Sequence, residues 1–285
     1  MLEIRNLTKY YGDKKVLDDI SFSLETGKII SLMGANGSGK TTLFKSLLGL
    51  TGYQGSICLD SRPLDNRRIG YLPEERSLFP DCSIHRQLLL FAGLKGLGNK
   101  ESEESIRNLA AKLKIVQYLD NQPSQLSKGN QQKVQLAIAL ISDPELLILD
   151  EPWTGLDEGN ARLFEKILTE LRRRGKTILL SSHQYQPVQR ICDRYLYLHK
   201  GKIVVNLSRE DLQQDARRMI TVTTDQYLLL EAEGLLNERR KGGQVKYLVQ
   251  DQACAGKFLN FLQEMPAVKS VSLRQLQIED YLEEY

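Results

Sequence analysis

The stretch SLMGANGSGKTTLFKSLLG, residues 31–49, runs from apolar residues through closely spaced glycines into Lys-Thr-Thr and then a leucine-rich segment with helical spacing. Within it, Gly34-Ala35-Asn36-Gly37-Ser38-Gly39-Lys40-Thr41 matches G-x-x-x-x-G-K-[ST], between strand-like KIISLM and helix-like TLFKSLLGL. Glycines let the backbone turn so that several N–H groups face one concavity, and a helix starting near Gly39 adds the positive end of its dipole. The pattern predicts a site for the phosphates of a nucleoside triphosphate. Lys40 is expected on the β- and γ-phosphates, with the Thr41 hydroxyl on Mg²⁺, a hard cation that prefers oxygen ligands.

Further along, ELLILDEPWTGLD predicts a buried parallel strand over residues 146–149 that ends in Asp150 and Glu151. Ligands in open α/β sheets lie beyond the carboxyl ends of strands, which brings both carboxylates to the phosphate site. Asp150 is assigned to Mg²⁺ through a water, and Glu151 to orienting and deprotonating the attacking water. Two acids at a strand end also serve as a helix cap or turn. A second buried strand, in TILLSSHQ, delivers His183 at its end, where it is placed for a γ-phosphate contact.

Composition narrows the setting. A chain of 285 residues is long enough for a large domain plus a small one, and a formal charge of +3 gives no support to a nucleic-acid partner. Basic runs such as Arg172-Arg173-Arg174 read as a solvated helix end. Cys58, Cys82, Cys192 and Cys254 are scattered without a C-x-x-C unit, which suits a reducing compartment. No apolar run approaches the roughly 18 to 20 residues that span a bilayer, and Glu3 and Arg5 stand where a signal peptide is apolar. A cytoplasmic chain is expected, with any membrane role supplied by a partner.

Together these segments resemble the ATP-binding-cassette family over residues 2–205, and the deciding one is QLSKGNQQKV, similar to that family's signature at the start of a helix. The resemblance implies an α/β phosphate-loop ATPase core with an antiparallel β subdomain and a helical subdomain over about residues 77–143. It also implies that two such domains pack head to tail around two MgATP, so that Ser127, Lys128, Gly129, Asn130 and Asp157 meet the nucleotide held by the opposite subunit. The cis ATP set is then Tyr11, Val16, Gly34, Asn36, Gly37, Ser38, Gly39, Lys40, Thr41 and Thr42, with Tyr11 stacked on adenine and Tyr10 as a competitor. Glu151, His183 and Lys40 form the catalytic set, and Thr41, Glu74 and Asp150 the metal set.

Some positions depart from the commonest pattern. Lys128 and Asn130 replace glycine and glutamine, Glu74 in IGYLPEERSLFP replaces a glutamine that links to the transport partner, and EPWTGLDE carries Trp153 and Glu158. Lys-for-Gly and Glu-for-Gln variants resemble family members that power export through separate membrane subunits. The implied protein is therefore an ATPase subunit, peripheral on the inner face of the membrane. It pairs with a second copy or a paralogue and drives a separately encoded permease. A non-transport relative acting on ribosomes or DNA is the alternative, and a non-hydrolysing interaction module a third.

Helical patterning is expected in SIHRQLLLFAGL, capped by Ser83, and in SEESIRNLAAKLKIVQYL, residues 102–119. Residues 207–285 are expected to form a small α+β accessory domain: strand RMITVTT, a hairpin around Lys241-Gly242-Gly243, helix CAGKFLNFLQEM, strand VKSVSL and helix IEDYLEEY. They carry no legible catalytic constellation.

Overall fold

The computed structural model describes residues 1–224 and 234–282, and the chain divides into two compact units, Met1–Asn206 and Leu207–Tyr285. The first unit opens with a β-hairpin, β1 (Leu2–Tyr11) and β2 (Lys14–Leu24), followed by β3 (Ile29–Met33), α1 (Lys40–Leu47), β4 (Gln54–Leu59) and β5 (Arg62–Pro63). Next come β6 (Ile69–Leu72), then the helices α2 (Ile84–Leu94), α3 (Asn99–Leu113) and α4 (Lys128–Leu140). The unit closes with β7 (Leu146–Leu149), α5 (Glu158–Arg173), β8 (Thr177–Ser181), α6 (Tyr185–Ile191), β9 (Arg194–His199) and all but the last two residues of β10 (Lys202–Ser208).

Two sheets share one core. The strands β2-β1-β4-β5 form an antiparallel sheet, and β10-β9-β3-β8-β7-β6 a second sheet in which β6, β7, β8, β3 and β9 run parallel. Every residue of β3, β7 and β8 is buried, as strands covered on both faces require. Ile4 and Leu24 from one sheet, Ile30 and Leu196 from the other, and Leu43, Phe44 and Leu47 of α1 join a single apolar cluster. The helix α5 buries Phe164, Ile167, Leu168 and Leu171, the spacing of one helical face.

The helical stretch differs from expectation at three ends. Ser83 stands at the N-cap of α2, but its side chain makes no capping bond; Gln87 ties the turn instead, accepting from Phe79 N–H and donating to the carbonyls of Phe79 and Cys82. The helix α3 starts at Asn99, ahead of the expected Ser102, because Glu101 reaches back to the Gly98 N–H at 3.1 Å. It also stops at Leu113 rather than running to residue 119. Lys114 adopts a left-handed conformation with φ 56°, and the N–H of buried Ile115 returns to Ala110 O, a C-terminal cap that periodicity does not reveal.

The second unit holds α7 (Arg209–Gln214), β11 (Arg218–Thr224), β12 (Leu235–Lys241), β13 (Gln244–Val249), α8 (Gln252–Gln263), β14 (Val268–Gln275) and α9 (Ile278–Leu282). Its antiparallel sheet has the order β12-β13-β11-β14, and α8 covers one face through Ala255, Phe258 and Leu262. Tyr247 and Phe258 meet edge to face with centroids 5.1 Å apart. The last three residues of the expected terminal helix lie outside the described residues.

Candidate functional site

The parallel strands deliver their carboxyl ends to one cleft. It has a volume of about 850 Å³ and is lined by the loop after β3 and the start of α1, by Glu74 after β6, Asp150 and Glu151 after β7, His183 after β8, and Tyr11 and Val16 of the first hairpin. This is the location that an open parallel sheet offers a ligand.

The loop is built by close approach. Gly34 has φ +155°, and a Cβ there would stand 2.4 Å from Leu198 O of β9 and 2.6 Å from Ser38 Oγ. Any side chain at this position would push the loop out of place. Gly37 has φ +79° but faces open space. Lys40, the first residue of α1, donates from Nζ to Gly34 O at 2.7 Å and to Ala35 O at 3.2 Å, so its ammonium spans the loop's mouth. The Ser38 side chain is packed beneath the loop, its hydroxyl buried without a partner, and Ser38 does not line the cleft. The remaining cis residues named from sequence, Tyr11, Val16, Gly34, Asn36, Gly37, Gly39, Lys40, Thr41 and Thr42, all line it, as does Ala35.

Across from the loop, the carboxylate pair is asymmetric. Asp150 is buried at 3% exposure, continues the sheet by donating its N–H to Leu72 O, and accepts from Ser181 Oγ at 2.6 Å. Burial pushes its carboxyl above the usual range; the neighbouring Glu74 and Glu151 add to this, while Ser181 and the Lys40 ammonium oppose it. Burial likewise raises the hydroxyl of neighbouring Tyr71 to about 12, with Asp150 and Glu74 adding to the shift. Glu151 leaves the sheet in a left-handed conformation, φ 48°, an uncommon state for a non-glycine residue. Its Oε2 lies 2.9 Å from Nδ1 of His183 and 3.3 Å from the His183 N–H. The His183 ring is otherwise open, with 66% of its side chain exposed.

The donor set suits a hard cation: a threonine hydroxyl and two carboxylates, without sulfur. No group of three or more His, Cys, Asp and Glu side chains able to hold a metal occurs among the described residues. An ion at Thr41, Asp150 and Glu74 would take its other ligands from phosphate and water, the habit of Mg²⁺.

Ser127, Lys128, Gly129, Asn130 and Asp157 do not line this cleft. They gather where two helices begin. Ser127 caps α4, accepting Asn130 N–H at 3.3 Å, and Asp157 caps α5, accepting Asn160 N–H at 2.8 Å. The two tips touch: a Cβ at Gly129 would stand 3.0 Å from Asn160 Nδ2, which itself donates to Asp157 Oδ2 at 3.0 Å. From its buried flank, α4 grips the loops of the cleft, Gln132 donating to Pro152 O and Gln135 to Glu75 O. Trp153 is buried in the turn after β7. Sequence reading missed Asn160, Gln135 and Ser181, which only their lateral neighbours make visible; Gln132 stood inside the signature segment, but its bond to Pro152 O was not foreseen.

A glycine-rich loop between a parallel strand and a helix, with carboxylates and a histidine from adjacent strand ends, defines a phosphate-loop nucleoside triphosphatase. Comparison with known proteins narrows the class. The family model described as ABC transporter matches residues 17–154. YhaQ of Bacillus subtilis, an uncharacterized ABC transporter ATP-binding protein, is 34% identical across 98% of this chain and 96% of its own length. The Nod factor export ATP-binding protein I of Burkholderia lata is 36% identical over 70% of this chain and 68% of that one. The ATP-binding subunit of an ABC transporter, a solved structure, superposes with a TM-score of 0.70 at 30% identity, covering 75% of this chain and 92% of that chain. The chain belongs to the ABC transporter ATP-binding family, whose subunits are ATPases.

Proposed function

We propose that this chain hydrolyses MgATP as half of a head-to-tail pair, formed with a second copy or a close paralogue, and that the pair drives a separately encoded permease in export. The observation that carries the reading is a division of labour within one chain. One set of residues lines the cleft, while the serine-capped tip of α4 lies outside it. A helix N-terminus carrying serine and glycine is an anion-binding end, and a partner protomer's triphosphate gives that end its ligand. Export is supported by the likeness to the Nod factor export protein. Among the described residues no helix is long and apolar enough to cross a bilayer, so in this reading the membrane-spanning part is the permease's.

In this reading Tyr11 stacks on adenine beside Val16, and the amides of residues 34–42 with Lys40 hold the phosphates. Thr41, Glu74 and, through a water, Asp150 would hold Mg²⁺, which when bound would offset charge on the phosphate oxygens. Glu151 orients a water in line with the γ-phosphorus and takes its proton as the new P–O bond forms; the bond to the bridging oxygen breaks and ADP leaves with the electron pair. His183 keeps Glu151 in place through the 2.9 Å contact and turns its exposed edge to the γ-phosphate.

Glu151→Gln tests the assignment. The variant is expected to bind ATP as the parent does, to lose at least about a hundredfold in turnover, and to accumulate as an ATP-bound dimer, read by light scattering after size exclusion. Turnover near the parental rate would remove Glu151 from its role. A variant that stays monomeric with saturating MgATP would remove the paired arrangement.

A further inference from the structure

Ser181 closes β8 with no exposed surface, and its hydroxyl serves two neighbours at once. Oγ donates to Asp150 Oδ1 at 2.6 Å and accepts the Glu151 N–H at 2.8 Å. A single side chain thus holds the carboxylate of one member of the acidic pair and the backbone of the other. We propose that Ser181 is a positioning residue for hydrolysis: it aims the Asp150 carboxylate into the cleft and stabilises the turn that carries the Glu151 carboxylate to His183. The proposal rests on the roles given above to Asp150 and Glu151.

The topology shows why a hydroxyl is needed there. β7 and β8 pair in parallel up to Leu149 opposite Leu180. Asp150 remains in the sheet through its N–H bond to Leu72 O of β6, but Glu151 turns out of it with φ 48°. A buried N–H at that point has left the ladder, and an unpaired one is costly. Ser181 Oγ takes the place of the missing ladder carbonyl, and the turn then closes with Thr154 N–H on Glu151 O at 3.1 Å. The same oxygen spends its proton on Asp150, so the two carboxylates are set in fixed relation and diverge. Burial alone does not demand this pairing. Ser31, equally buried on β3, keeps its hydroxyl without a partner.

Ser181→Thr and Ser181→Val in the full chain separate the hydroxyl from the volume, because the two side chains have the same shape. Steady-state kcat and KM, binding of a fluorescent N-methylanthraniloyl ATP with and without magnesium, and melting temperature are measured at a temperature well below both melts. A merely structural serine would lower the melting temperature of the valine variant and leave kcat of the folded protein alone. The expected result is a kcat for valine at least about tenfold below that for threonine, a displacement of the reacting groups being the kind of change that costs one or two decades. Nucleotide affinity without magnesium is expected to agree within about threefold between the pair, while the gain in affinity that magnesium brings is expected to be smaller for valine, because Asp150 belongs to the magnesium set. Equal kcat in the two variants, or equal loss in both, overturns the proposal. Glu151→Gln, assayed alongside, keeps the two readings apart. If it turns over at the parental rate, the carboxylate assignment has failed; if it is inactive while Ser181→Val is not, only the role of Ser181 has failed.

Discussion

Gly34→Ala is expected to unfold the nucleotide-binding unit at a distinctly lower temperature than Gly37→Ala, although both replace a glycine of one loop. At Gly34 the new methyl would sit 2.4 Å from Leu198 O and 2.6 Å from Ser38 Oγ, well inside van der Waals contact. The carbonyl belongs to β9, whose Tyr197 is paired with Met33, so neither side can yield without disturbing the central sheet. Overpacking of this kind costs about 1 to 3 kcal/mol, and the unfavourable φ adds about 1 more, giving roughly 3 kcal/mol. At Gly37 the methyl meets nothing within 4 Å, and only the left-handed φ of +79° is penalised, about 1 kcal/mol. For a unit of this size 1 kcal/mol moves the melting temperature by about 2 to 4 °C, so the two variants should melt roughly 4 to 8 °C apart. The assay is thermal unfolding followed by tryptophan fluorescence, since the chain has a single tryptophan and Trp153 is buried in the turn after β7. Melting temperatures within about 2 °C of each other would refute the argument that close approach to β9 makes Gly34 obligatory.

Other perturbations read the electrostatics. Asp150→Asn is expected to raise the melting temperature of the nucleotide-free protein while abolishing turnover, because burial and the adjacent Glu74 and Glu151 disfavour the Asp150 charge; a lower melting temperature would contradict that balance. In the second unit, Asp215 accepts from Arg217 and from the Tyr281 hydroxyl of α9, and the Arg217 hydrogen bonds hold its carboxyl at about 2. A depressed carboxyl stabilises above its unfolded value and loses that contribution as pH falls through the folded one. The stability gap between the parent and Asp215→Asn, followed by circular dichroism melts, should therefore be full at pH 5 and close as pH approaches 2. A gap unchanged over that range would dismiss the pair as a stabilising contact.

How much was legible in the sequence depends on how far apart the cooperating residues lie. The phosphate loop was readable because its chemistry is local: Gly34 to Thr41 are consecutive, and the flanking strand and helix follow from short apolar patterns. Asp150, Glu151 and His183 were readable because each ends a run of buried strand residues. The end of α3 was not, since a left-handed Lys114 capped by a backbone bond from Ile115 to Ala110 has no side-chain signature. The strands of the second unit and its helices α8 and α9 followed their apolar patterns, but α7, which buries no residue and rests on the Ser208–Asp211 cap, was not foreseen, and the sheet order β12-β13-β11-β14 could not be read from any one segment.

The sequence by itself determined the kind of chemistry, because phosphate recognition needs glycines, a lysine and a helix start within one short segment. The tertiary structure alone decided which groups share a space. Strand order places β8 beside β7, and only that adjacency turns Ser181 into a partner of both Asp150 and Glu151. It also turns the α4 tip away from the cleft, onto the first turn of α5. Lateral pairing in a parallel sheet joins residues far apart along the chain, and no periodicity within a single strand encodes which neighbour it will take.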